Sequence, residues 1–166
     1  MIKQDILGNP VNMIYLGLGS NLGNKKKNIE NAKFELIKNQ IRILESSNYY
    51  VSLSWPNPSY PKFLNIILKI ETDLKPKNLL KICKNIEKKI GRKKRLKNSP
   101  RECDIDIIDF KSKKMKGSLN LPHPSMHLRN FVLLPLHEIS KKWVHPKFKQ
   151  NITYLLNKTN IKSLRT

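Results

Sequence analysis

Arg92-Lys93-Lys94-Arg95-Leu96-Lys97-Asn98-Ser99-Pro100-Arg101-Glu102-Cys103-Asp104-Ile105-Asp106-Ile107-Ile108-Asp109-Phe110 begins as a basic loop and ends as an alternating strand. Successive strand side chains point to opposite faces, so Asp104 and Asp106 share one face while Cys103, Ile105 and Ile107 share the other. Two neighbouring carboxylates repel unless a cation lies between them. Hard oxygen ligands of this kind suit Mg²⁺, which is commonly held by one or two carboxylates plus substrate phosphates. The guanidinium and ammonium groups just upstream neutralise phosphate oxygens. Acid beside base therefore points to a metal–polyphosphate site, with a solvated polar face as the plain alternative for an isolated D-x-D. Asp109 has the wrong parity for that face and reads as a strand-end or turn residue.

The segments before this stretch set its place in the fold. Pro76 opens a helix at the first-turn position it favours. Leu79, Cys83, Ile86 and Ile90 follow on one face, and Gly91 stops it. Phe63 to Asp73 alternates, with Leu64, Ile66, Leu68 and Ile70 on one side and Phe63, Asn65, Ile67, Lys69 and Glu71 on the other. An aromatic ring beside an amide suits a flat heterocycle, although ordinary packing accounts for it equally. Trp55-Pro56-Asn57-Pro58-Ser59-Tyr60-Pro61 is a stiff loop whose Trp is either tucked into the core or offered to a ligand.

Ile41 to Ser54 reads as a strand. Asn24 to Asn39 reads as a helix with a stripe of Ile29, Ala32, Leu36 and Ile37. Met13 to Leu18 is an apolar strand entering Gly19-Ser20-Asn21-Leu22-Gly23. The third glycine of a dinucleotide fingerprint is absent, and the glycines of Gly17-Leu18-Gly19 read as a tight turn. The order strand, helix, strand, strand, helix, strand predicts an α+β fold. It is a ferredoxin-like βαββαβ core, with an antiparallel sheet and helices on one face. The remaining C-terminal residues are expected to form an extension of short strands and helices covering part of the open face. Ile152 to Leu156 reads as its final helix. His123, held between Pro122 and Pro124 and followed by Arg129, is a candidate phosphate ligand or a structural histidine.

The bulk numbers narrow the class. At 166 residues, a single domain over 13–166 is expected, large enough to bury roughly 70% of its unfolded surface. Residues 1–12, broken by Asp5, Gly8 and Pro10, read as a leader or alternative start outside the fold. No apolar run reaches the ~18 residues of a membrane helix. Cys83 and Cys103 belong to no metal-ligand cluster and read as reduced thiols of a cytoplasmic protein. A formal net charge of +21 invites nucleic acid, yet the lysines are spread over the whole chain. Arginine is uneven: Arg92, Arg95, Arg101 and Arg129 gather where rigid bidentate phosphate ligands are hard to replace by lysine.

Six segments in order resemble the 6-hydroxymethyl-7,8-dihydropterin pyrophosphokinase family of folate biosynthesis. They are Leu18-Gly19-Ser20-Asn21-Leu22-Gly23, Phe63-Leu64-Asn65, Ile86-Glu87 with Gly91-Arg92, Pro100-Arg101 through Ile107, Leu121-Pro122-His123-Pro124, and Arg129-Asn130-Phe131-Val132-Leu133. The similarity runs from about Met13 to Ile152. It implies transfer of pyrophosphate from ATP to the hydroxymethyl oxygen of 6-hydroxymethyl-7,8-dihydropterin, releasing AMP. It further implies two Mg²⁺ on Asp104 and Asp106. Arg92 and Arg101 are implied as catalytic, and Arg92, Lys94, Arg101, Ile107, His123 and Arg129 as ATP contacts. Phe63 and Phe131 are implied to sandwich the pterin, with Asn65, Ser52, Leu53 and Trp55 around it.

The basic loop corresponds to a mobile lid in that family. It is one residue shorter here, with Asn98 nearest the usual tryptophan, and a second loop arginine is replaced by Lys94 or shifted to Arg95. Small-molecule substrates, no nucleic acid, no membrane and a monomer are the expected partners and state. A basic RNA-binding module using Tyr60 and Phe63 would leave the aspartate pair unexplained, since carboxylates repel phosphates. A metal-dependent nuclease or NTP hydrolase would use the same pair and differs only in substrate.

Overall fold

Strand β1 (Ile14–Ser20) is the centre of the molecule, because both interlocked halves of the chain pair with it. In the computed structural model, residues 13–159 are described. After β1 come α1 (Lys25–Lys38), β2 (Arg42–Ser46), β3 (Tyr50–Ser52), β4 (Phe63–Glu71), α2 (Pro76–Ile90) and β5 (Asp104–Phe110). A 3-10 turn (Met126–Leu128), α3 (Asn130–Ile139) and α4 (Ile152–Lys158) follow. The sheet runs β2-β4-β1-β5, with β3 also on β4, and every pairing is antiparallel. The expected split βαβ core is present. The leader assigned to residues 1–12 lies outside the described residues.

Local chemistry fixes the elements. The side chain of Asn24 caps α1 by accepting from the Lys27 N–H at 3.1 Å, which satisfies a donor the helix leaves open. Pro76 begins α2, and Gly91 ends it at φ 122°, a backbone region that side chains resist. Leu79, Cys83 and Ile86 of α2 and Ile29, Ala32 and Leu36 of α1 pack on Leu16, Leu18, Ile66, Leu68, Ile70, Ile105 and Ile107. Each fully buried Leu or Ile among them contributes about 1.5–3 kcal/mol. Ile37 departs from the expected stripe and is 56% exposed. At about 100° per residue it sits well round the helix from Leu36 and Ala32.

A second core lies on the other face. Tyr15, Ile67 and Ile108 from the sheet meet Met126, Val132, Leu133, Leu136, Trp143, Ile152 and Leu155. The tail thus covers one part of the open face and leaves the rest bare, as expected. It does so with helices: among the described residues, the expected short strands are only isolated bridges, Met115 with Leu121 and Val144 with Asn151.

Two further expectations are corrected. The single strand over Ile41–Ser54 is two strands. Between them the Ser47 hydroxyl accepts from the Ile67 N–H at 2.9 Å, taking the place of a backbone carbonyl, and the chain leaves the ladder at Asn48. Asp109 does lie at the strand end, one residue before β5 stops, with its Oδ1 accepting from the Ser112 N–H at 3.0 Å, but its face differs from the one parity gives. A bulge at Ile108 shifts the register, so Tyr15 faces Asp109 while Leu16 faces Ile107, and a bulge re-aims the side chains beyond it. Asp109 is buried and accepts from Trp143 Nε1 at 2.8 Å.

Candidate active site

The bare part of the open face is a trough whose floor is glycine. Gly17 and Gly19 point to this side of β1. Gly19 lies between Asp104 on β5 and Asn65 on β4, and Gly17 lies between Asp106 and Ile67. A Cβ at Gly19 would stand 3.2 Å from Asn65 Oδ1 and 3.4 Å from the Phe63 ring, and one at Gly17 would stand 3.2 Å from Ile108 Cδ1. These glycines are strand residues that keep the trough open. The reading of them as a tight turn is therefore corrected; Gly23, at φ 69°, is the turn glycine. The trough belongs to a cavity of about 860 Å³.

One wall is acidic. Asp104 and Asp106 share the cavity face, as their parity requires. Asp104 is held by two arginines. Its Oδ1 accepts from Arg92 Nη1 at 2.7 Å, and its Oδ2 accepts from Arg101 Nη2 at 2.7 Å and Nε at 3.0 Å. Despite burial, these guanidinium groups hold its carboxyl below the usual range. Asp106 has no such partner. Burial, and then the charge of Asp104, push it up to about 6. A carboxylate pair split in this way is the arrangement a divalent cation would neutralise.

Among the described residues no cluster of three acidic, histidine or cysteine side chains gathers into a metal cage. The two carboxylates on one cavity face are a donor set that suits an ion completing its shell with phosphate oxygens and water. His123 lies beside the pair, its Nε2 3.8 Å from Asp106 Oδ2, too far for a hydrogen bond. Its Nδ1 accepts from the Ser125 N–H at 3.2 Å, and burial followed by the Arg129 charge lowers its pKa to about 4.

The opposite wall is aromatic. Phe63 opens β4 and Phe131 lies in the first turn of α3, and both line the cavity with Asn65, Ser52, Leu53 and Trp55. Trp55 is 73% exposed, so it is not tucked into the core. Both rings are covered by cations: the Arg101 guanidinium sits 5.0 Å from the Phe63 centroid, and that of Arg129 sits 5.7 Å from Phe131. Two expected contacts are not brought here. Ile107 turns its buried side chain into the helix-side core, so only its main chain could reach a ligand. Lys94 lines a separate space of about 340 Å³ beneath the 92–101 loop.

Two residues of the site went unassigned in the sequence. Asn21 is buried; its Nδ2 donates to Ser54 Oγ at 3.0 Å and to the Pro61 carbonyl at 3.1 Å, and its Oδ1 accepts from the Arg101 N–H at 2.8 Å. It joins the proline-rich loop to Arg101. Glu87, buried on α2, accepts from the Ile105 N–H at 2.7 Å and pairs with Arg92 at 2.9 Å, so one carboxylate braces the backbone between the two aspartates. The available signal was a polar residue on an otherwise apolar helix face next to Ile86.

A family model described as 7,8-dihydro-6-hydroxymethylpterin-pyrophosphokinase matches residues 15–141. The chain is 39% identical over 138 residues to the 2-amino-4-hydroxy-6-hydroxymethyldihydropteridine pyrophosphokinase of Aquifex aeolicus, covering 82% of this chain and 86% of that protein. It is 43% identical over 136 residues to the folic acid synthesis protein FOL1 of Dictyostelium discoideum, covering 81% of this chain and 20% of that one. Among solved structures, a Plasmodium falciparum HPPK-DHPS chain superposes with a TM-score of 0.68 at 15% identity, covering 89% of this chain and 44% of the other. An HPPK-DHPS solved in complex with substrates gives 0.66 at 18%, covering 89% and 43%. The chain therefore spans a fifth of the Dictyostelium protein and less than half of these solved chains.

Proposed function

The chain belongs to the 7,8-dihydro-6-hydroxymethylpterin-pyrophosphokinase family, and on that footing we propose that it transfers pyrophosphate from ATP to the hydroxymethyl group of 6-hydroxymethyl-7,8-dihydropterin in folate synthesis. The observation that carries this reading is the glycine trough, which puts an acidic pair and an aromatic slot on opposite sides of one cavity. A triphosphate belongs on the acidic side, through a cation, and a flat heterocycle belongs in the slot.

In the reaction, the hydroxymethyl oxygen attacks the β-phosphorus of ATP and loses its proton. The bond from that phosphorus to the oxygen bridging to the α-phosphate breaks, and AMP leaves. Such transfers depend on positioning and charge stabilisation and need no side-chain nucleophile. Asp104 and Asp106 would hold Mg²⁺, two ions in our reading. When bound, Mg²⁺ neutralises phosphate charge and orients the phosphorus for in-line displacement. Arg92 and Arg101 exchange the carboxylate of Asp104 for phosphate oxygens, a like-for-like swap of charge-assisted bonds. Arg129 and His123 stand where they can meet the remaining phosphates, and Lys94 reaches them only when the loop folds inward. Phe63 and Phe131 stack the pterin once the guanidinium groups have left their faces, and Asn65 and Ser52 address its edge. Leu53 and Trp55 close the rim and exclude water, which protects ATP from hydrolysis.

We take the working unit to be a cytoplasmic monomer formed by residues 13–166, acting on small molecules without nucleic acid. No described helix is long and apolar enough to cross a membrane. Incubation with Mg–ATP and the reduced pterin alcohol tests the reading. One AMP and one pterin diphosphate should form per turnover, and release of ADP or free phosphate regardless of pterin would overturn it.

A further inference from the structure

The ring slot has Phe63 and Asn65 on β4 as one wall and Phe131 on α3 as the other, and Glu138 ties the two walls together. Glu138 follows Phe131 by two turns and so lies on the same side of α3. Its Oε1 accepts from the Asn48 backbone N–H at 2.9 Å and from Asn48 Nδ2 at 3.0 Å. Its Oε2 accepts from the Tyr50 hydroxyl at 2.7 Å. Tyr50 opens β3, and its own carbonyl accepts from Asn65 Nδ2 at 3.2 Å; the same Nδ2 donates to Ser52 Oγ at 3.0 Å. A carbonyl only accepts, so the amide atom facing Tyr50 must be nitrogen, and the orientation of Asn65 is settled by chemistry. Both of its N–H groups are spent on β3. Asn65 Oδ1 is left on the trough side, close above Gly19.

We infer that Glu138 is a positioning residue for the slot: by pinning Asn48 and Tyr50 to α3 it fixes Asn65 Oδ1 as an acceptor, so the slot selects a flat ring whose edge offers an N–H donor. This rests on the pterin reading, since a 2-amino-4-oxo ring carries such donors on its amino group and the adjacent ring nitrogen. The carboxylate touches no part of the cavity and acts through Tyr50 and Asn65. A fixed acceptor discriminates because a ring edge without a donor would bury Oδ1 unpaired.

The test is a double-mutant cycle on ring binding. The pterin is titrated by calorimetry with Mg²⁺ and a non-hydrolysable ATP analogue present, and the analogue is titrated alone. Glu138→Ala should raise the pterin Kd about tenfold and leave the nucleotide Kd within about twofold. Asn65→Ala should raise the pterin Kd about a hundredfold. The double variant should match Asn65→Ala alone, because residues acting in series are not additive. Glu138→Gln, which keeps an acceptor for Asn48, should recover most of the loss. Tyr50→Phe keeps the ring and removes the link, so it should repeat the tenfold effect even if Glu138→Ala does not fold. Additive losses in the double variant, or equal losses for pterin and nucleotide, would overturn the assignment. A parent protein that binds no pterin removes the functional reading and this inference together, whereas a parent that binds it with unaffected variants removes only the inference.

Discussion

Asp104 and Asp106, the proposed metal ligands, set that role against stability within a single residue pair. Asp106 is pushed up to about 6 by burial and by its neighbour, so the pair is strained electrostatically without a cation. Asp104→Asn or Asp106→Asn should lower turnover about a thousandfold, the several kcal/mol that metal-assisted charge stabilisation supplies. Asp106→Asn should leave the melting temperature unchanged or raised, because it removes a like-charge contact. Melting curves read beside turnover check both halves. The pair was legible in the sequence because strand parity alone aligns the two carboxylates. Asp109 was not, because one extra residue at Ile108 inverts parity, and nothing in Ile107-Ile108 distinguishes a bulge from a regular strand.

A second residue-scale effect concerns His145. It is buried against Trp143 and Phe148, its Nδ1 accepts from the Lys147 and Phe148 N–H groups, and burial lowers its pKa to about 4. Between that value and the ordinary 6.5 the unfolded chain binds the proton and the folded chain does not. Stability is therefore complete above pH 6.5 and falls as pH drops towards 4. His123, lowered for the same reason, adds to the fall. Thermal melts from pH 7 to pH 4 should show a progressive loss, and a His145→Gln variant should show a shallower one. A flat profile across that window would contradict the assignment.

At the scale of elements, periodicity was the reliable guide and backbone chemistry the hidden one. The alternation of Phe63–Glu71 placed Phe63, Asn65 and Ile67 on the open face, and the spacing of Leu79, Cys83 and Ile86 placed α2 on the other. Helix α3 was not foreseen, because Pro135 within it removes an N–H and argues against a helix. The break between β2 and β3 was hidden because it depends on one hydroxyl, that of Ser47. Asn21 exemplifies coupling between elements, since a single amide joins the end of β1, the proline-rich loop and Arg101. Asn21→Ala would leave the Arg101 N–H without its partner, at about 1–3 kcal/mol for an unsatisfied group, while the Pro61 carbonyl keeps its bond from Ser54 Oγ at 2.6 Å. Urea unfolding should register that loss. The variant should also bind pterin and nucleotide less well together, because both sides of the cavity are tied to this residue. A loss confined to one ligand would show that the coupling is not as described.

Across the whole molecule, charge and topology do separate work. The order of elements, read from periodicity and turn residues, was sufficient for the ferredoxin-like sheet. The excess of 33 Lys and Arg over 12 Asp and Glu says nothing about fold, but it gives the whole surface a field that attracts polyanions. For Mg–ATP, kcat/KM should therefore fall about tenfold between roughly 50 and 500 mM KCl, while kcat changes little, because salt screens approach more than it screens buried contacts. Equal losses in both would place the salt effect inside the site.

The fate of the individual phosphates distinguishes pyrophosphate transfer from every other use of ATP. With ATP carrying label only in the β-phosphate, the label should leave in the pterin product together with the γ-phosphate, AMP should be unlabelled, and Asp104→Ala and Asp106→Ala should abolish the transfer. Label recovered in ADP, or in free phosphate without a pterin ester, would contradict it.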